Sequence, residues 1–207
     1  MSLSKKISIF ILSIMLMLTL FSFMKATPMT NAEVDEYIHK INQLSHTPGG
    51  QHDIEALRNF FSADDGEAFY TVNLYKYHKQ AQYTTADSPS ISGVEAYEKF
   101  SRVMVALLLQ NYSYPVFGSN WLGLSDNGWD RIVIVKYRSR RDMAEIFSNP
   151  KFSMASADKW ASIEKHDRFV VKALHLPEVY MLLIFVIGLV LTILFIRRKT
   201  IVSKSTV

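Results

Sequence analysis

Between residues 68 and 176 the hydrophobic period switches repeatedly between that of a strand and that of a helix, and this alternation fixes the choice of fold more than any other feature. "AFYTVNLYKY" is aromatic and β-branched with near-alternation, which predicts a strand. "SGVEAYEKFSRVMVALLLQ" offers Ser92 as N-cap and Glu95 three residues on; Val94, Tyr97, Phe100, Val103, Met104 and Leu107 then recur at helical spacing. "YPVFGSNWLGL" reads as a second strand, and "SDNG" is a tight turn placed for a hairpin. "WDRIVIVKY" is the third strand, with Ile132, Ile134 and Lys136 on one face and Val133, Val135 and Tyr137 on the other. Ser139 caps the next helix, whose apolar stripe is Met143, Ile146 and Phe147. "SNP" at 148–150 interrupts it, and a further helix runs through Ala155, Trp160 and Ile163 before the last strand, "RFVVKALHL". The expected strands lie near 68–77, 114–124, 129–137 and 168–175, and the helices near 93–110 and 140–165.

This β-α-β-β-α-β order is the split βαβ of an α+β, ferredoxin-like sandwich, an antiparallel sheet with helices on one face. Its strands carry apolar residues on both faces, so the face without helices needs a cover. One candidate is a second copy of the sheet. The other is an amphipathic helical hairpin at 30–62. There "TNAE" is a capping box, Val34, Tyr37, Ile38, Ile41 and Leu44 form one stripe, "TPGG" stops the helix, and "HDIEALRNFF" begins another.

Outside this region lie two uncharged apolar runs, at 7–24 and 179–196. Each is close to the ~20 residues that cross a bilayer. Both are therefore expected to be transmembrane helices flanking the domain at 68–176, with a basic cytoplasmic tail at 197–207. Lys5 and Lys6 precede the first run, and Arg197, Arg198 and Lys199 follow the second. By the positive-inside rule both termini are expected in the cytoplasm and the central domain on the outer side of an inner membrane, with the lipid bilayer as a partner. A cleaved signal peptide is the rival for the first run. The length of that run and the poor small-x-small site in "MKA" favour an anchor.

The formal net charge is +4, but it belongs to the flanks: 7 of the 23 basic residues lie there, and residues 28–177 hold 16 basic against 18 acidic side chains. The central domain thus has no electrostatic case for nucleic acid. With no cysteine, there is no disulfide framework.

Taken together, "NLYKY", "SGVEAYEKF" and "GWDRIVIVKYRSRRDMAEIFSNPKF" resemble the DUF1330 family of small dimeric α/β-barrel proteins. The matching positions include Asn73, Lys76, Gly93, Glu95, Tyr97, Trp129, Asp130, Lys136, Tyr137, Ser139 and Pro150. Two positions depart from the family pattern. Arg138 stands where the family has Pro, and Asp158-Lys159 stand where it often has His-Arg. The resemblance implies the dimeric α/β-barrel type of fold and a homodimer; the family has no agreed activity.

The residues themselves offer two candidate sites. Asn73, Tyr97, Trp129, Lys136 and Tyr137 combine an amide, an amine and aromatic rings, suited to a flat, partly polar small-molecule ligand between sheet and helix. Ser139, Arg140 and Arg141 sit at a helix start, where an anion is favoured; a solvated charged loop is the simpler reading. No catalytic residue is assigned, and no cofactor and no metal are expected. The histidines make no metal-ligand pair, and the helix after the third strand lacks the histidine that a haem-binding relative of this shape would use. Two function classes remain: a membrane-anchored binding or assembly domain, and a cofactor-independent monooxygenase- or isomerase-like enzyme.

Overall fold

The computed structural model describes residues 9–14, 16–17, 25–47, 52–84, 89–120, 128–172, 180 and 182–194. Two compact units emerge. Lys25–Ala173 is one, and the two chain ends form the other.

The larger unit contains α1 (Asn31–Gln43), α2 (Ile54–Ser62), β1 (Phe69–Tyr77), α3 (Gly93–Gln110), β2 (Tyr114–Asn120), β3 (Arg131–Tyr137), α4 (Arg140–Phe147), α5 (Pro150–Ser162) and β4 (Ile163–Val171). The sheet order is β2-β3-β1-β4, with every neighbour antiparallel. Strands adjacent in space are thus not all adjacent in sequence, which is the ferredoxin-like weave. The expected β2–β3 hairpin is present, although residues 121–127 lie outside the described residues.

Local chemistry sets each element. Thr30 and Ser92 close capping boxes with Glu33 and Glu95, and Pro150 occupies the first turn of α5 after its cap Asn149. Asp130 ties β3 to β1 at one end: its amide donates to the Tyr75 carbonyl at 2.8 Å, and its carboxylate accepts from the Tyr77 amide at 2.7 Å. The Trp-Asp pair noted in the sequence therefore includes a backbone clamp. At Gly93 three segments converge. Its amide donates to the His78 carbonyl, His78 donates to Ser162, and a Cβ there would stand 2.3 Å from the His78 oxygen. Only glycine lets α3 start against the end of α5.

Odd-numbered residues of β1 and β3 face the helices, and even-numbered ones face away, since paired antiparallel residues share a face. The core between sheet and helices includes Phe69, Tyr75, Tyr97, Phe100, Leu108, Val135, Phe147 and Phe152. The hairpin α1–α2 does not cover the other sheet face. It packs on α4: Arg141 pairs with Glu33, Tyr37 donates to Glu145, and Thr47 bonds Ser153 in α5. The outer face, with Val72, Leu74, Ile132 and Ile134 half-buried and Phe169 49 % exposed, is left uncovered by these helices.

Three boundary expectations change. The last strand starts at Ile163 rather than 168, so His166 lies within β4 instead of at a turn. The helical region after β3 is in two pieces, as the interruption at 148–150 predicts, and it ends at Ser162 rather than 165. Trp160, expected on the buried stripe of α5, is 42 % exposed, and Lys159 takes the inward position.

The two transmembrane helices flanking the domain are overturned. Among the described residues no helix is long and apolar enough to cross a membrane. The helical pieces there are residues 9–14 and 182–194. The remainder of 7–24 and 179–196 lies outside the described residues. The lipid partner and the inner-membrane, two-span placement rested on those helices and are set aside with them. The basic tail at 197–207 also lies outside the described residues.

Candidate functional site

Between the inner sheet face and helices α3 and α5 lies a cavity of about 380 Å³. It is of the size that takes a small organic molecule. Thr71, Asn73 and Tyr75 of β1 and Val133, Val135 and Tyr137 of β3 form its floor. Tyr97, Phe100 and Met104 of α3 form one wall, and Phe152 and Lys159 of α5 another. Arg131 and Arg168 reach it from β3 and β4. Among the described residues its lining contains three cationic side chains and no carboxylate.

Asn73 is buried and its orientation is set by hydrogen bonds. Its Nδ2 donates to Thr71 Oγ1 at 3.2 Å and to the Val133 carbonyl at 3.3 Å. Its Oδ1 lies 3.4 Å from His166 Nε2. The His166 ring stacks on Tyr75, with centroids 5.0 Å apart. Tyr75 and Tyr97 pack at 4.9 Å, and the Arg131 guanidinium lies 5.4 Å over the Tyr97 ring. Burial pushes the hydroxyls of Tyr75, Tyr97 and Tyr137 upward, so all three are neutral donors at pH 7. Two buried polar atoms at this end, Tyr77 Oη and Arg131 Nε, have no hydrogen-bond partner among the described residues.

Lys159 is the most unusual member. It is 9 % exposed, and its Nζ lies 4.6 Å from the Trp160 ring centroid, 5.7 Å from Phe100 and 5.9 Å from Tyr75. Among the described residues its ammonium has neither an ion pair nor a hydrogen bond. Burial, and then the charge of Arg168, pull its amine from 10.5 down to about 7. The same causes, with Lys159 itself contributing, bring His166 down to about 3. A smaller cavity of about 170 Å³ lies across Lys159 and Arg168, lined also by His52, Asp53 and His166. His52 is stacked 5.2 Å from Phe147, and burial lowers it to about 4.

The fold brings together three of the five residues expected to bind a ligand: Asn73, Tyr97 and Tyr137. Trp129 and Lys136 are elsewhere. The Trp129 ring lies 4.0 Å from Lys165 Nζ, and Lys165 pairs with Lys76 on the outer face. Lys136 is buried on that same outer face, between Tyr70 and Tyr114 in the register and 5.8 Å from the Tyr114 ring.

Of the anion-binding trio, Ser139 and Arg141 are hydrogen-bonded within the fold, while a buried Arg140 Nη1 has no hydrogen-bond partner among the described residues. Ser139 Oγ accepts from the Asp142 amide and donates to its carboxylate. Arg141 donates to Glu33 and to the carbonyls of Thr27 and Pro28. Arg140 lies 4.8 Å over the Phe60 ring. Among the described residues no group of His, Asp or Glu is placed to hold a metal ion.

Sequence reasoning missed Lys159, Arg131, Arg168 and Tyr75 as cavity residues, and it did not place His166 beside them. A signal was present for the first. Phe152, Ser156, Lys159 and Ile163 follow helical spacing, so a charge occupies an otherwise buried stripe.

No family model matches the chain, and no curated protein matches it. The DUF1330 resemblance therefore rests on the residues alone. Solved structures are similar. Two crystal structures of the RPA0582 protein, one of them methylated and one described as a protein of unknown function from Rhodopseudomonas palustris, are each 22 % identical to this chain. Both cover 60 % of this chain; 94 % and 96 % of their own length is matched, at TM-scores of 0.54 and 0.53. At that identity the likeness shows the fold alone. A dimeric protein of unknown function and ferredoxin-like fold from Bacteroides fragilis is 12 % identical, with a TM-score of 0.35, over 51 % of this chain and 96 % of its own.

Proposed function

We propose that Lys25–Ala173 is a binding domain for a small anionic molecule with a flat apolar body, held between the sheet and helices α3 and α5. One observation carries this reading. The cavity gathers Lys159, Arg131 and Arg168, shows no carboxylate among the described residues, and is otherwise walled mostly by aromatic and aliphatic side chains. Arg168 is exposed and Arg131 half-buried, but Lys159 is buried. A cation buried without an acidic partner is costly, and an anionic ligand offsets that cost. The guanidiniums match a carboxylate in two-pronged geometry, and Asn73 and Tyr97 add neutral polar contacts.

Phenylacetate and its uncharged amide, titrated into the full chain by calorimetry, test the reading. Phenylacetate is expected to bind more tightly by about tenfold or more, the worth of one charged hydrogen bond. Arg168→Gln is expected to remove that preference. Equal binding of the two compounds, or none, would sink the proposal.

The finer resemblance to DUF1330 proteins adds a homodimer. The outer sheet face carries Val72, Leu74, Ile132 and Ile134 with Phe169 and Val171 exposed beside them, and the hairpin packs elsewhere. Such a face is the kind that a second copy covers in a twofold pair. Phe169→Glu would place a charge in that contact. The expected result is a dimer mass for the parent chain and a monomer mass for the variant in light scattering; a monomeric parent refutes the pairing.

A further inference from the structure

Lys159 is a lysine that the fold buries without using. A lysine kept in a core for stability is held by a carboxylate, because an unpaired ammonium costs several kcal/mol of desolvation. Here the amine is surrounded by the rings of Trp160, Phe100 and Tyr75, and no acid of the described residues pairs with it. Its side chain lines the larger cavity, so the amine has a place to meet a ligand. A lysine in apolar surroundings beside another cation is the setting that makes an amine nucleophilic, and Arg168 is the charge whose repulsion acts on it. The amine, brought to about 7, is half unprotonated near neutral pH and has a free lone pair.

Resting on the anion-binding reading, we propose that the cavity takes a 2-oxo acid with a flat apolar body and that Lys159 Nζ forms an imine with its keto carbon. The two guanidiniums of the same cavity receive the carboxylate, which a 2-oxo acid carries next to the reacting carbonyl. The aromatic wall at Phe100 and Phe152 receives the apolar end. A plain aldehyde would leave both guanidiniums unanswered.

The chemistry balances without any further reagent. The Nζ lone pair forms the C–N bond while the C=O π pair moves to oxygen. One N–H proton then passes to that oxygen, giving a carbinolamine. A proton from bulk water breaks the C–O bond, water leaves, and the nitrogen lone pair closes the protonated C=N. Amine, oxo acid and one proton become iminium and water, with no change of oxidation state.

The test uses the full chain with phenylpyruvate and borohydride, which reduces an imine to a stable secondary amine. The expected result is one adduct per chain, mapped by peptide mass spectrometry to Lys159. Lys159→Arg keeps the positive charge and cannot form the adduct, so it is expected to lose the label. Phenylacetate binding without any adduct at Lys159 would overturn the imine and leave the binding reading intact. Neither binding nor adduct would overturn both. A label spread over surface lysines, or one surviving in Lys159→Arg, would also overturn the imine.

Discussion

Two regions of this protein concentrate positive charge, and they use it in opposite ways. At the junction of β3 and α4, Lys136, Arg138, Arg140 and Arg141 crowd into six residues, the densest cationic stretch of the described chain. Each is occupied. Arg138 donates twice to Asp142, at 2.9 and 2.7 Å, and covers the Tyr112 ring at 4.4 Å; Arg141 holds Glu33; Arg140 covers Phe60. In the sheet–helix cavity the cations come from three elements, at positions 131, 159 and 168, and none has an acid among the described residues. Charge density along a sequence marks where a fold needs ties. Cations left without acids mark where it has something still to bind.

The largest effect expected from this contrast comes from breaking a tie at the junction. Asp142 is buried, receives both Arg138 nitrogens and the Ser139 hydroxyl, and stands at the start of α4. Asp142→Ala leaves a partly buried guanidinium and a fully buried hydroxyl without their acceptor. The expected loss is about 3 kcal/mol, the lower end for breaking a buried pair because Arg138 keeps some solvent contact. Urea unfolding measures it. A loss below about 1 kcal/mol, the worth of an exposed pair, would put the junction in the same class as surface charge.

Lys159→Met has the opposite sign. It keeps the length of the side chain and removes a buried charge that has no partner, so the folded chain is expected to gain about 1–2 kcal/mol. The same variant is expected to weaken phenylacetate binding. A destabilised variant would mean that the contacts of the ammonium with the Trp160, Phe100 and Tyr75 rings outweigh the cost of burying it. Gain of stability with loss of binding is the usual trade at a functional site.

That pairing of effects also explains what could be read from the sequence. The strand and helix order, the capping residues and the two faces of β3 follow from period and spacing, and the fold bears them out. Asn73, Tyr97 and Tyr137 were legible because they interrupt or end apolar elements. β4 was harder. Its apolar residues Phe169 and Val171 point away from the helices, while His166 and Arg168 pair with Tyr75 and Asn73 on the inner face. The alternation is inverted relative to an ordinary half-buried strand, so the start of β4 read as a turn. Lys136 misled for a related reason. A lysine inside an apolar strand looks like a pocket residue, yet the register places it on the outer face. The terminal apolar runs read as membrane spans from composition, and among the described residues no helix is long and apolar enough to cross a membrane.

A pH series sharpens the same contrast. Below about 7 the Lys159 amine holds its proton in both folded and unfolded chains. Between about 7 and its ordinary 10.5 the unfolded chain binds the proton and the folded chain does not, so stability rises with pH. Near 10 the trend reverses, because Tyr75, Tyr77 and Tyr137 keep their protons folded and lose them unfolded. Melting temperature is therefore expected to climb from pH 7 toward 10 in the parent chain and to stay flatter in Lys159→Met. On the acid side His166 and His52, lowered to about 3 and about 4, make both proteins lose stability as pH falls from 6.5. Identical slopes above pH 7 in the two chains would remove Lys159 as their source.

The smallest effect is expected at the exposed end of the junction. Glu33 is held at about 2, first by the Arg141 hydrogen bond and then by the Thr30 amide. Its folded value is depressed, so its contribution is present above its ordinary 4.5 and is lost as pH falls through about 2. The carboxylate is 37 % exposed, however, and salt screens it. Glu33→Gln also keeps an oxygen able to close the capping box on Thr30. The variant is therefore expected to unfold at a slightly lower urea concentration than the parent, by less than Asp142→Ala, with the difference shrinking in high salt. Phenylacetate binding should be unchanged, because Glu33 ties the hairpin to α4 and does not line the cavity. A loss of binding in Glu33→Gln would mean that the occupied cations of the junction and the open ones of the cavity act on the same ligand, and the distinction between them would fail.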